Sequence, residues 1–296
     1  MYIRFIAHAG FALEEDGHQV LIDPWFTDST VKTPIMQAVV GHNTIDFQVP
    51  KTTESIGAYH PDTILLSHFH AHHAVHDDLV TLATQSKRIA LCFPDVGQDN
   101  TRVEQTFALW PHVETIPFQH NDVKTDGPFS VRGLLHTVPK HIAWYVESKT
   151  GSILHIADPH INRDSMSRQI GEEWKQFEGL QPDLLCINAG GNGLRREKDG
   201  RRYIVESGAV SPIEAARLAE LIRPKALCLI GCYNWSVWRN RSEYIRPAPL
   251  VEEELYWALS WLVPEVKFFT LKPGNTIGIG DMSLAGSTDY FITGQS

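Results

Sequence analysis

Short apolar runs alternate with amphipathic and polar segments along most of the chain. Runs that are rich in β-branched and large apolar residues, and that are bounded by Gly, Pro, Asp or Asn, predict β-strands. The predicted strands cover residues 2–6, 11–13, 19–22, 63–66, 89–93, 113–116, 129–135, 143–147, 152–156, 184–188, 226–230 and 266–271. The predicted helices cover residues 77–86, 96–107, 165–177, 211–222 and 249–262. Because the two element types alternate with few breaks, the pattern predicts one α/β domain over residues 1–296, with two sheets covered by helices.

Two local signals support these assignments. Asp16-Gly17 lies between two β-prone runs, which is a strong signal for a hairpin turn. Ser211, Pro212 and Glu214 occupy the N-cap, N1 and N3 positions of a good helix start. The sequence therefore predicts a hairpin near the start of the chain and a well-capped helix from Ser211.

Two other segments lack the periodicity of a strand or a helix. Residues 26–54 are predicted to form a long loop that covers the functional site and that could contribute to a homodimer contact. Residues 194–206 read LRREKDGRRYIVE and are predicted to be an exposed, basic excursion. Glu197 and Asp199 partly balance its arginines, so a solvated loop is favoured over a phosphate- or carboxylate-binding segment.

The composition is that of an ordinary globular protein, with 43% hydrophobic and 21% charged residues. The formal net charge of −9 argues against nucleic acid and acidic membrane surfaces as partners.

No charged-then-apolar leader is visible and no apolar run approaches the ~18 residues of a membrane span, so a soluble, cytoplasmic protein is predicted. Of the four cysteines, the first three, Cys92, Cys186 and Cys228, lie in apolar runs and are predicted to fill the core in a reducing compartment.

The most informative stretch is LLSHFHAHHAVHDDL, residues 65–79, which places five histidines in a strand-to-helix loop. These histidines are His68, His70, His72, His73 and His76. A loop that reverses direction can bring such side chains together, and imidazole is a good ligand for Zn, Fe, Ni or Cu. A His-rich surface loop without a role is the less favoured interpretation, so the sequence predicts a metal site here.

Further polar residues lie just beyond other predicted strands, where α/β folds commonly build their sites. These residues are His8, Asp23, His136, Asp158 and Asn188. His141 lies close to His136 along the chain, and His160 follows Asp158 by two residues, so both can join the same site. Each residue alone would more often be structural, but their order along the chain is informative.

Asp23, then His-x-His-x-His-His, then a later histidine and a later aspartate resemble the metallo-β-lactamase superfamily. The resemblance extends from residues 8–11 to residues 271–274. It implies a four-layer αββα sandwich, in which two mixed sheets lie between outer helices. It also implies a metal-dependent protein with a site for two metal ions.

The resemblance further implies a role for each motif residue. His68, His70 and His136 would hold the first ion, with His141 as the alternative to His136. His160 is an additional candidate ligand.

The second ion would be held by His73 and by the residue at the family's Asp position, which is His72 in this chain. Asp158 would bridge both ions, and Asp23 would orient a ligand histidine. His8, His76, His141 and Asn188 are predicted to support the ligands or to contact substrate.

Two departures from the family pattern bear on the reaction. His72 replaces an aspartate that holds the nucleophilic hydroxide in hydrolases of this fold. The strand at 226–230 ends without the last histidine ligand, and Tyr233 or Asn234 takes its place, with Trp235 beside them. Both departures weaken the expectation of ordinary hydrolysis.

Two branches of the superfamily resemble this chain in different segments. Residues 8–26 and 211–225 are similar to the ascorbate-phosphate lactonase and phospholipase D-like hydrolases. His76, residues 183–193 and residues 231–245 are similar to the CMP-sialic acid hydroxylase branch, which performs oxygen chemistry.

The sequence narrowly favours a non-haem diiron oxygenase, such as a monooxygenase, that acts on a small molecule. Its electrons would come from a separate reductase or ferredoxin, because the chain lacks the Cys-x-His pairs of a Rieske cluster. The alternative is a dinuclear zinc or manganese hydrolase of a phosphoester, lactone or amide. A degenerate protein that binds metal or ligand without turnover is the least favoured reading.

Overall fold

The computed structural model describes residues 1–27, 52, 54–70, 73–136, 141–159, 172–190, 193–198, 201–207, 210–231, 243–244, 248–280 and 282–285. Within these ranges the strands are β1 (Tyr2–Ala7), β2 (Gly10–Glu15), β3 (His18–Ile22), β4 (Thr63–Leu65), β5 (Ile89–Pro94), β6 (Val113–Phe118), β7 (Val123–Asp126), β8 (Phe129–Leu135), β9 (Ile142–Ser148), β10 (Gly151–Ile156), β11 (Leu184–Asn188), β12 (Gly193–Lys198), β13 (Arg201–Ser207), β14 (Ala226–Ile230), β15 (Glu243–Tyr244), β16 (Lys267–Thr270), β17 (Thr276–Gly278) and β18 (Ser283–Ala285). The α-helices are α1 (His76–Gln85), α2 (Gln98–Phe107), α3 (Pro212–Ile222) and α4 (Ala248–Leu262), and 3-10 helices cover Ile56–Ala58 and Glu172–Phe177.

The described strands form two large mixed sheets and one small sheet. The first large sheet has the order β18-β17-β1-β2-β3-β4-β5-β6, and the second has the order β16-β14-β11-β10-β9-β8-β7. Strands β3 to β6 run parallel to one another, and so do β10, β11, β14 and β16. The small antiparallel sheet has the order β13-β12-β15.

The hydrophobic core is divided into three clusters that define four layers. One cluster joins the inner faces of the two large sheets and includes Phe11, Trp144 and Cys186. A second lies between the second sheet and helices α3 and α4. A third lies between the first sheet and helix α1, which contributes Leu79 and Leu82. This order of helix, sheet, sheet and helix is the predicted αββα sandwich.

Both local signals in the sequence are confirmed. Asp16 and Gly17 have φ values of 51° and 80° and join β2 to β3 in an antiparallel hairpin. At α3 the Ser211 hydroxyl accepts a hydrogen bond from the Glu214 amide, and the Glu214 carboxylate accepts one from the Ser211 amide. The capping box therefore satisfies amides that would lack partners at the helix start.

Some element assignments from the sequence are wrong. Much of the predicted excursion at 194–206 consists of strands β12 and β13, paired antiparallel. Strand β7 was missed because it is an edge strand with the polar sequence VKTD, which gives no alternating apolar signal. The end of the predicted helix 165–177 is the 3-10 helix Glu172–Phe177, and residues 160–171 lie outside the described residues.

The predicted loop at 26–54 falls mainly outside the described residues. In the described part of the chain, no helix has both the length and the apolar character needed to cross a membrane. The division into a single domain stays a prediction.

Candidate metal centre

The candidate site lies where several strands of both large sheets end. Asp23 follows β3, the histidine loop follows β4, Asp158 follows β10 and Asn188 ends β11. His8, Asp23 and Asp158 have positive φ values of 55°, 42° and 44°. Non-glycine residues seldom adopt such values, and strain of this kind is often found at functional sites. The sharp turns direct these polar side chains to one edge of the sandwich.

Three histidines form the first potential ligand group: His68, His70 and His141. Each offers one nitrogen, and these nitrogens all lie within 4.8 Å of one another. The Nε2 atom of His68 is 2.9 Å from Nδ1 of His70, and the rings of His68 and His141 stack at a centroid distance of 3.9 Å. The group therefore places three imidazoles around one small volume.

A second group consists of His68, His73 and Asp158, all of them buried. The Oδ2 atom of Asp158 lies 3.5 Å from Nε2 of His68 and 3.5 Å from Nε2 of His73. A tetrahedral ion with ligand bonds of about 2.1 Å separates its donor atoms by about 3.4 Å. These residues thus fit a metal ion both in the chemistry and in the spacing of their donors.

Asp23 orients the second group through the ring of His73, on the side opposite Asp158. Its carboxylate, which is 1% exposed, accepts hydrogen bonds from the Ser67 amide at 2.7 Å and the Ser67 hydroxyl at 2.5 Å. It also lies 2.8 Å from Nδ1 of His73, so that Nε2 of the same ring is left facing Asp158. A carboxylate behind a histidine fixes the tautomer and the ring orientation of a metal ligand. The contact agrees with the orienting role predicted for Asp23.

The site histidines differ in their protonation. Burial lowers the pKa of His68 well below its usual value, and the positive charges of His73 and His141 lower it further. Burial also lowers the pKa of His73, but the carboxylates of Asp23 and Asp158 outweigh it and raise that pKa to about 9. His68 is consequently a neutral ligand near pH 7, whereas His73 must lose a proton before it can hold a metal ion.

The structure groups His141, rather than His136, with His68 and His70. The Ile142 amide donates to the Ser67 carbonyl at 2.9 Å, which ties the start of β9 to the histidine loop. The ring of His136 stacks on Trp174 at a centroid distance of 5.5 Å. Of the two alternatives that the sequence leaves open, His141 is the one whose nitrogen lies among those of His68 and His70. Which of the two histidines binds a metal ion stays a prediction.

Other predicted site residues lie around these groups or elsewhere. The ring of His8 is 4.9 Å from that of His73 and meets Trp25 edge-on. His76 is exposed in the first turn of α1 and belongs to neither ligand group among the residues that the structure describes. Five predicted residues lie outside the described ranges: His72, His160, Tyr233, Asn234 and Trp235.

Two residues that support the site, Ser67 and Gly10, are not predicted from the sequence. Ser67 donates to Asp23 and contacts Nδ1 of His68 at 2.9 Å, but a serine before a histidine carries little signal by itself. Gly10 is required by close packing, because a Cβ at this position would lie 2.8 Å from the Asp23 carbonyl oxygen. In the sequence, the only sign of this close packing is the glycine itself, which follows the strand end at His8-Ala9.

Solved structures from several organisms share this fold. Igni18, a novel metallo hydrolase from the archaeon Ignicoccus hospitalis, is 15% identical over 93% of this chain and 97% of its own, with a TM-score of 0.58. YhfI, a metallo-beta-lactamase fold protein from Bacillus subtilis, is 16% identical over 93% and 97%, with a TM-score of 0.59. CmlA, a diiron beta-hydroxylase from Streptomyces venezuelae, is 14% identical over 86% of this chain and 50% of its own, with a TM-score of 0.58.

No curated protein matches the sequence. A family model, the beta-lactamase superfamily domain, matches residues 18–231. This range contains the histidine loop and Asp158, together with the paired sheet strands that position them. The chain therefore belongs to the beta-lactamase superfamily and has the metallo-β-lactamase fold that its histidine motif indicated.

Proposed function

We propose that this protein is a metal-dependent hydrolase whose centre is built on His68, His73 and Asp158. The observation that carries the proposal is the pair of 3.5 Å distances from Asp158 Oδ2 to the two histidine Nε2 atoms. Two imidazoles and one carboxylate form the ligand set of many catalytic zinc sites. His70 and His141 extend the same centre with two further imidazoles.

A divalent ion bound here would polarise a carbonyl or phosphoryl oxygen and lower the pKa of water. The protein's own residues already favour binding of such an ion. His68 presents a neutral imidazole, because burial lowers its pKa. Asp158 supplies negative charge close to three histidines, and Asp23 prevents the ring of His73 from turning away. Together these contacts hold the donors in position before an ion or a substrate binds.

The superfamily resemblance supports a phosphoester, lactone or amide as the substrate of the proposed hydrolase. Segments 8–26 and 211–225 resemble hydrolases of phosphoesters and lactones. Hydrolysis of an amide belongs to the same class of reaction. Igni18, named as a metallo hydrolase, matches this chain over 97% of its own length. CmlA, named as a diiron hydroxylase, matches over 50% of its own length. The match over nearly the whole of Igni18 supports a hydrolase.

A second candidate, the diiron oxygenase, also has a specific observation in its favour. Two histidines and one carboxylate are the ligand set of many non-haem iron oxygenases. The other features that favour it, His72, Tyr233 and Trp235, lie outside the described residues. Such an enzyme would act on a small molecule, use O2 and take electrons from a reductase or ferredoxin.

Metal analysis combined with anaerobic assays separates the two candidates. For the hydrolase we expect tightly bound zinc or manganese, and turnover of a phosphodiester, lactone or amide that continues without O2. About two irons per chain, with O2 consumption that requires a reductant and no hydrolysis of these substrates, would overturn the proposal in favour of the oxygenase.

A pair of histidine variants tests the assignment of the centre. His68→Ala removes a member of both ligand groups, so both metal content and turnover should be lost. His60→Ala removes an exposed histidine outside both groups and serves as the matched control. Equal metal content in the two variants would contradict the assigned site.

A further inference from the structure

The last residue of β11, Asn188, contacts the second ligand group without belonging to it. Its side chain is 4% exposed, and its Nδ2 donates a hydrogen bond to Oδ1 of Asp158 at 2.8 Å. Its Oδ1 accepts a hydrogen bond from the Gly190 amide at 3.0 Å. The amide of Gly190 can only donate, so it fixes which end of the Asn188 side chain points towards Asp158. We call Asp158, Asn188, Gly190 and Gly231 the Asn188 clasp.

We propose that Asn188 is a positioning residue that selects the oxygen of Asp158 available to a metal ion. A carboxylate has two equivalent oxygens and can bind through either one or both. The hydrogen bond from Asn188 engages Oδ1, while Oδ2 lies 3.5 Å from both His68 and His73. The clasp therefore makes Asp158 a one-oxygen ligand with a fixed orientation.

Gly231 supplies the space that the clasp requires. It directly follows β14, has a φ of 70°, and donates its amide hydrogen to the His8 carbonyl at 3.1 Å. A Cβ at this position would lie 2.5 Å from Nδ2 and 2.7 Å from Cγ of Asn188. A side chain at Gly231 would consequently displace the amide of Asn188 from the position in which it donates to Asp158.

The inference rests on the proposed function only in requiring that the centre binds a metal ion. Its readouts are therefore the affinity for Co²⁺ and the absorption spectrum of the bound ion, which do not depend on turnover. Asn188→Asp keeps the size of the side chain and the acceptor for Gly190, but it replaces the donor to Asp158 with a second negative charge. This substitution separates the positioning role from a structural one.

We expect Asn188→Asp and Asn188→Ala each to weaken Co²⁺ binding by roughly 10- to 100-fold and to alter the spectrum, as is usual when the partner of a metal ligand is lost. Gly231→Ala should have a similar effect through its contact with Asn188. In the Asn188→Ala background, Gly231→Ala should cause little further loss, because the contacted amide is gone.

Gly179→Ala is the matched control. Gly179 has a φ of 65°, close to that of Gly231, but a Cβ there meets nothing within 4 Å. The control thus carries the backbone strain of an alanine at positive φ without the collision, and its Co²⁺ affinity should equal that of the unaltered protein. Thermal unfolding of the metal-free proteins reports any general loss of stability.

Three results would overturn the inference. If Asn188→Asp bound Co²⁺ with the affinity and the absorption spectrum of the wild type, the hydrogen bond from Asn188 to Asp158 would not be needed for metal binding. Fully additive losses from Asn188→Ala and Gly231→Ala would show that the two residues act separately. Failure of the unaltered protein to bind Co²⁺ would overturn both this inference and the proposed function. If Co²⁺ binds with the expected variant effects but no hydrolysis is found, only the proposed function fails.

Discussion

Asp23 is a single carboxylate on which three donors converge. Ser67 gives it two hydrogen bonds, and His73 contacts it through Nδ1. The carboxylate is buried, so its charge acts strongly on the ring beside it and contributes to the raised pKa of His73. One side chain thus anchors the histidine loop and orients His73, a candidate metal ligand, at the same time.

Asp23→Asn should weaken metal binding by roughly 10- to 100-fold, since the orienting carboxylate of His73 becomes a neutral amide. Competitive titration with a chelator measures the effect. Asp122→Asn is the control. Asp122 also accepts a backbone hydrogen bond, from Gln119 at 2.7 Å, but it is exposed and belongs to neither ligand group. Similar affinities for the two variants would contradict the role assigned to Asp23.

Asp183 gives a second prediction at the residue scale, one that concerns pH. Burial raises its pKa, but hydrogen bonds from Lys225 and Ser152 outweigh burial and leave the pKa below its ordinary value. A carboxyl group whose pKa is lower in the folded state stabilises the protein above its unfolded pKa of about 3.9, and this contribution disappears as the pH falls further.

Asp183→Asn should therefore destabilise the protein near pH 7 by about 1 kcal/mol, a value reduced for the partial exposure of the pair. The difference between variant and wild type should begin to shrink as the pH falls below about 4, the unfolded pKa, and should disappear once the pH has passed the lower pKa of the folded state. Urea unfolding at several pH values measures both effects. A difference that stays constant down to the lowest accessible pH would contradict the prediction.

At the scale of the elements, the site depends on where the strands end rather than on any one helix. The parallel strands β3 and β4 end beside the parallel strands β10 and β11, which brings residues from both large sheets together. Helix α3 lies outside the second sheet and stabilises this frame through its buried apolar face. Its capping box is a local feature that can be tested separately.

Ser211→Ala should destabilise the protein by about 1 kcal/mol, because the amide of Glu214 loses its acceptor at the start of α3. Chemical denaturation measures the loss, and the metal affinity should not change. Ser260→Ala is the matched control: Ser260 donates within α4 to the Tyr256 carbonyl, where the backbone already supplies helical hydrogen bonds. Equal losses in the two variants would contradict the importance of the cap.

The elements also show how far the sequence can predict this molecule. Its apolar runs predict the buried strands, and the histidine loop predicts a metal centre, because metal binding demands particular residue types. Strand β7 could not be predicted from its polar sequence. The sequence does not show the stacking of His136 on Trp174, or the contact between Ile142 and Ser67 that brings His141 towards the histidine loop. Such contacts join residues distant in the sequence, so no local pattern reveals them.

At the scale of the whole molecule, one hydrophobic cluster packs the two large sheets against each other. Trp144 on β9 is fully buried in the cluster between the sheets and meets Phe118 of β6 edge-on, with a centroid distance of 5.1 Å. This pair links the second sheet to the first. Because the site draws residues from both sheets, its geometry depends on this packing.

Trp144→Ala should destabilise the protein by about 3–5 kcal/mol through the cavity it leaves between the sheets. Trp261→Ala removes the same side chain from a position that is 85% exposed on α4, and its effect should stay within about 0.5 kcal/mol. Denaturant unfolding of the two variants provides the comparison. A small loss for Trp144→Ala would contradict the central place of this residue in the core.

His68 belongs to both ligand groups, with its Nε2 atom 2.9 Å from His70 and 3.5 Å from Asp158. A ring nitrogen has one lone pair and can donate it to only one ion at a time. An ion that takes His68 for the first group therefore leaves His73 and Asp158 as the remaining described donors of the second. Two ions bound at these groups would therefore differ in affinity, because only one of them could use His68.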